Sequence, residues 1–132
     1  MKITADTNVL LRAAVGDDRR QEQAAIRLIE EASLIAISLP CLCEFVWVLR
    51  RVYRFGVAEI ATAVEALMNA ANVVMNRPAV EAGLSVLRAG GDFADGLIAY
   101  EGEWLGGEVF VSFDKKANSV IGKQGLRALL LS

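Results

Sequence analysis

The chain has 132 residues, of which 55% are hydrophobic and 23% charged, with 2 Pro and a formal charge of −2. Those values exclude a disordered or collagen-like chain, and the length suits one packed core without disulfides or metal staples. There is no histidine, which removes Ser-His-Asp and Cys-His machinery, the usual imidazole base and His-ligated zinc or iron.

In chain order, Lys2 to Ala5 reads as a first strand that ends at an acid, Asp6. Thr7 to Ala14 carries Val9, Leu10, Ala13 and Ala14 at helical spacing, and Asp17-Asp18 opens a second helix to about Glu31 with a stripe of Ala24, Ala25, Leu28 and Ile29. Leu34 to Leu39 is a short aliphatic run, as expected of a buried parallel strand. Pro40 suits the first turn of a helix bearing Leu42, Phe45, Val46, Leu49, Val52 and Tyr53 and ending near Gly56. A helix over Val57 to Asn69, a strand over Val73 to Met75 and a helix from Pro78 to about Ala89 follow. Gly90-Gly91 breaks the pattern, and Asp92 is a natural N-cap for a helix to about Leu105. Glu108 to Phe113 reads as a fourth strand, Lys116 to Val120 as a short helix and Ala128 to Leu131 as a fifth strand. Strands alternating with helices predict an α/β layered fold with a parallel sheet, in one domain over residues 1–132.

Mean hydropathy is +0.40, yet no apolar run approaches the roughly 20 residues a bilayer requires. An acid at Asp6 interrupts any signal-peptide apolar stretch, so a cytoplasmic protein with no membrane association is expected. Cys41 and Cys43 stand two apart and point to different faces of a helix, which predicts packing residues rather than a disulfide.

The remaining chemistry belongs to carboxylates. In a parallel α/β sheet, ligands bind beyond the C-terminal ends of the strands. Asp6 follows the first strand, Glu44 lies just past the second, Asp95 opens the helix after Gly90-Gly91, and Asp114 follows the fourth strand. Each also has an ordinary reading: Asp6 and Asp92 as caps, Glu44 as an acid favoured by a helix dipole, Asp114 as a turn residue. Together they suggest a site that only a divalent cation would make tolerable, and oxygen-only ligation suits Mg²⁺ or Mn²⁺ and phosphoryl chemistry. With those four acids set aside, 14 basic residues face the 12 acids that remain, a balance of +2 that accommodates a polyanion. Arg50, Arg51 and Arg54 read as a solvated face, Lys115 and Lys116 as exposed groups or phosphate contacts, and Trp47 and Trp104 as core or interface residues.

The stretches Ile3-Thr4-Ala5-Asp6-Thr7-Asn8-Val9-Leu10, Glu44 to Leu49, Asp92-Phe93-Ala94-Asp95-Gly96-Leu97-Ile98-Ala99 and Val111-Ser112-Phe113-Asp114-Lys115 resemble, in order, the four motifs of PIN-domain ribonucleases. The total length suits the VapC-type toxins of type II toxin–antitoxin modules. Gly96 departs from the pattern, where Ala is more usual, and is expected to loosen the helix start slightly without removing a ligand. The resemblance implies a three-layer α/β/α fold with a five-stranded parallel sheet of order 3-2-1-4-5. It implies a Mg²⁺- or Mn²⁺-dependent endoribonuclease that cleaves RNA by activated water. Asp6, Glu44, Asp95 and Asp114 are then the acidic ligands, with Asn8, Ser112 and Asp92 supporting them. It also implies a homodimer and a small VapB-like antitoxin that blocks the site.

A haloacid-dehalogenase-type phosphatase needs a second Asp two residues after the first, where this chain has Asn8. A receiver-like signalling module needs an Asp after the third strand, where Met75-Asn76-Arg77-Pro78 has none. The remaining alternative is a catalytically inactive PIN-fold scaffold that binds a partner protein or RNA, against which all four acids are present.

Overall fold

The computed structural model describes residues 1–132, which form two compact units, Met1–Asn76 and Arg77–Ser132. In the first unit, β1 (Lys2–Thr4), β2 (Leu34–Ala36) and β3 (Val73–Val74) form a parallel sheet of order β1-β2-β3, with Ile3 opposite Ile35 and Ile35 opposite Val73. Pairing continues past the strands: the Ala5 amide donates to Ala36 O at 3.0 Å and the Ile37 amide to Val74 O at 3.0 Å. The connections are α1 (Thr7–Val15), α2 (Arg19–Glu31), α3 (Leu39–Arg51) and α4 (Val57–Asn69). Each start has a local cause. Asp6, Asp18 and Ser38 cap α1, α2 and α3 through side-chain oxygens, and Glu59 turns back to the Gly56 amide at α4. Leu10, Ile35, Leu42, Phe45, Leu49, Ile60 and Val64 are fully buried, so the periodic residues of α3 and α4 face inward as their spacing predicts. The Asn72 side-chain amide donates to Ile29 O at 2.7 Å and Ala32 O at 2.9 Å, satisfying carbonyls left open at the end of α2.

The second unit contains α5 (Arg77–Arg88), α6 (Phe93–Trp104), β4 (Phe110–Ser112), α7 (Lys115–Lys123) and β5 (Ala128–Leu130). β4 and β5 pair in parallel, Phe110 opposite Ala128 and Val111 opposite Leu129. One face of this pair, with Phe110 and Ala128, packs against Val86, Ala99, Val120 and Ile121. On the other, Val111 is 48% and Leu129 51% exposed. The contact between α5 and α6 is close at Gly96. A Cβ there would lie 2.6 Å from Ala82 O and 2.7 Å from the Gly83 Cα. Gly96 is therefore a contact point between two backbones, and the expectation that it merely loosens the start of α6 is corrected.

The structure is a helix-rich α/β arrangement of parallel strands, as expected. The expected single five-stranded sheet of order 3-2-1-4-5 is shown only in part. Hydrogen bonding gives the 3-2-1 half and the 4-5 half as separate sheets. Strands of two or three residues carry few ladder bonds each, so their pairing is settled by local packing. Of the two places expected for the tryptophans, core or interface, the core is removed: Trp47 and Trp104 are both exposed, and the Trp104 indole N–H donates to the Tyr100 hydroxyl at 2.8 Å. No helix is long and apolar enough to cross a membrane.

Candidate acidic site

In the first unit, the extended backbone of Asp6 lets one carboxylate oxygen accept the Thr7 amide at 2.8 Å. Its neighbour Thr7 is a buried polar residue whose hydroxyl donates to Cys41 Sγ at 3.7 Å, while the Cys41 thiol donates to Ala5 O at 3.6 Å. This chain of contacts fixes the start of α1 to α3. The result is a cavity lined by Thr4, Asp6, Thr7, Ser38, Cys41 and Glu44, among others, which brings Asp6 and Glu44 to one opening. Glu44 is exposed in the second turn of α3, because the helix begins at Leu39 behind the Ser38 cap, so a role as first-turn dipole acid does not apply to it. Burial pushes the Cys41 thiol up from its ordinary range, and the charges of Asp6 and Glu44 add to that, against the Thr7 hydrogen bond. Neither cysteine is in a disulfide, as expected.

In the second unit, Asp92 caps α6 by accepting the Ala94 amide at 3.2 Å. Asp95 stands three residues on, in the first turn, half-buried, its amide donating to Asp92 O at 3.1 Å and its carboxylate in no hydrogen bond. Its carboxyl is held above the ordinary aspartate range, first by burial and then by the charges of Asp92 and Asp114. Asp114 caps α7 with one oxygen, accepting the Lys116 amide at 2.8 Å and the Ala117 amide at 3.1 Å. The Ser112 hydroxyl oxygen accepts the Asp114 amide at 2.9 Å and so fixes the backbone from which that carboxylate projects.

Capping and availability are compatible here. Asp6, Asp92 and Asp114 each use one oxygen on a helix start, which leaves the other for a ligand. Asn8 takes a different place. It is exposed and lines a groove between α1 and α2 with Val9, Arg12 and Leu28, without a hydrogen bond to either acid of its unit. Thr7, Ser38 and Cys41 are not among the site residues expected from the sequence. Only the fold brings Thr7 to Cys41, across 34 positions of chain.

The candidate donors of each unit are all oxygen, the type a hard cation takes. In the second unit Asp95 is a half-buried carboxylate beside two like charges, an arrangement that a divalent cation relieves. No three of these side chains close into a ready-made cage.

A family model described as PIN domain matches residues 3–123, which includes every acid considered above. None of the curated proteins matches the chain.

Proposed function

The chain belongs to the PIN-domain family, and from that premise we propose that it is a metal-dependent endoribonuclease, the toxin of a type II toxin–antitoxin pair. PIN domains are generally nucleases and commonly use divalent metals such as Mg²⁺. The observation that carries the reading is the family match itself, because it runs without interruption over both acid-bearing units. On this reading residues 1–132 act as one PIN domain with the 3-2-1-4-5 strand order of the fold, in the cytoplasm.

Asp6, Glu44, Asp95 and Asp114 would hold Mg²⁺ or Mn²⁺. When bound, such an ion polarises a phosphate oxygen and lowers the pKa of an attacking water. The chain's own contribution is positioning. Asp95 supplies a desolvated charge with no competing hydrogen bond. Asp6 and Asp114 are fixed by the helix starts they cap. Ser112 steadies Asp114, and Asp92 steadies the turn that carries Asp95. Asn8, on the α1–α2 groove, is assigned an outer supporting role in the same site.

Two protein partners complete the proposal: a second copy of the chain, and a small VapB-like antitoxin that blocks the acidic site. The uncovered face of β4 and β5 supports the second copy, since parallel sheets are normally covered on both faces. The test of the activity is cleavage of single-stranded RNA by antitoxin-free protein. Cleavage with Mg²⁺ or Mn²⁺ that stops in EDTA is expected, and equal cleavage in EDTA overturns the metal dependence.

A further inference from the structure

Phe113 is the exception among the aromatic rings of its type. Phe45 and Phe93 are fully buried and Phe55 and Phe110 partly so, whereas Phe113 is 74% exposed. That exposure does not come from a loose loop. On one side of Phe113, Ser112 O accepts the Leu131 amide at 2.8 Å and Ser112 Oγ accepts the Asp114 amide at 2.9 Å. On the other side, the Asp114 carboxylate is tied to the Lys116 and Ala117 amides. The backbone that carries the ring is therefore fixed on both sides, and the ring is presented to solvent by a rigid support. Lys115 and Lys116 follow within three positions, both exposed and neither in an ion pair.

Taking the ribonuclease reading as its basis, we propose that Phe113 is a stacking platform for an unpaired RNA base, with Lys115 and Lys116 receiving the flanking phosphates. Three physical features favour this ligand. A ring has a π-face that any base can stack on, so it serves a single strand without needing a particular sequence. Two unpaired ammonium groups beside it match the charge of a phosphate backbone. The ring is also carried one residue from Asp114, about 3.8 Å between Cα atoms, so the platform and the acid proposed to act on the strand share one fixed stretch of backbone. Phe113 is a positioning residue here. It orients substrate and takes no part in bond making.

The experiment uses a single-stranded oligoribonucleotide carrying one 2-aminopurine, whose fluorescence is quenched when it stacks. Binding is followed at low salt in EDTA, and cleavage separately in Mn²⁺. The wild-type chain is expected to quench the probe. Phe113→Ala is expected to lose the quenching, bind about tenfold more weakly and raise KM by a similar factor with little change in kcat, within the range measured for loss of one stacked base. Phe113→Trp should restore both signals. The melting temperature should stay the same, since the ring is already in water. Equal quenching and affinity in Phe113→Ala and wild type overturn the proposal. So does a change of oligomeric state in Phe113→Ala with RNA binding unaltered, which assigns the ring to a protein interface instead. If RNA is never cleaved in Mn²⁺ but quenching still depends on Phe113, the stacking proposal stands and the nuclease reading fails.

Discussion

Asp95 is the candidate acid whose surroundings most disfavour its charge. Burial and the neighbouring Asp92 and Asp114 raise its carboxyl above the ordinary aspartate range. For a carboxylate the sign is definite. The folded state holds its proton to higher pH than the unfolded chain does, so stability falls as pH rises from the ordinary value of about 3.9 through the raised one. Metal-free Asp95→Asn is therefore expected to melt above wild type at pH 7, with the gap closing as pH drops below about 4. Thermal melts at both pH values check this, and a lower melting temperature for the variant at pH 7 would contradict it. The same substitution should abolish cleavage. Asp92 behaves differently because it caps α6. Asp92→Asn should keep most of the activity, and Asp92→Ala should lose about 1 kcal/mol of stability, read from the denaturation midpoint. The Asp92 cap was legible in the sequence, since Gly90-Gly91 before an Asp marks a helix start. The pairing of Thr7 with Cys41 was not, because nothing local to either residue points 34 positions away.

At the level of elements, the α5–α6 contact gives a test with an internal control. Helix propensity alone predicts that replacing a helical glycine by alanine stabilises by up to about 1 kcal/mol. At Gly102, near the end of α6, an added Cβ meets nothing within 4 Å, and Gly102→Ala should stabilise by about that amount. At Gly96 the same methyl runs into the Ala82 carbonyl and the Gly83 backbone, and overpacking of this kind costs about 1–3 kcal/mol. Gly96→Ala should thus destabilise, although Ala is the more usual residue in this motif. Circular-dichroism melts of the two variants decide, and stabilisation by Gly96→Ala would show that the helices separate easily. Helix starts were readable because Asp18, Pro40 and Asp92 are local signals, and α4 has the predicted bounds Val57–Asn69. The sheet was less readable. Its 3-2-1 half matches expectation, but strands of two or three residues hold too little pattern to specify which distant strand they pair with. The close approach at Gly96 was hidden for a related reason, since a glycine in a helix has the same local signature whether its neighbour is solvent or another backbone.

At the scale of the whole molecule, the proposal joins an assembly to a metal site. The uncovered strand face predicts that Leu129→Glu shifts the protein toward monomer in light scattering at tens of micromolar, with little loss of melting temperature because Leu129 is 51% exposed. A wild-type protein that is already strictly monomeric would contradict that assignment. The composition reading of a histidine-free, carboxylate-based chemistry led to four acids because the absence of imidazole leaves few other metal ligands, and the family match over residues 3–123 spans them without assigning their roles. The central claim is the proposal that Asp6, Glu44, Asp95 and Asp114 each contribute to cation binding. The most direct measurement is Mn²⁺ binding, followed by electron paramagnetic resonance of the free ion, for wild type, Asp6→Asn and Asp95→Asn. Saturable binding that weakens by about tenfold or more in both variants is the predicted result, a bound set by what even outer partners of a metal contribute. Wild-type affinity in Asp6→Asn alongside lost binding in Asp95→Asn would contradict it, as would no saturable binding by the wild-type chain.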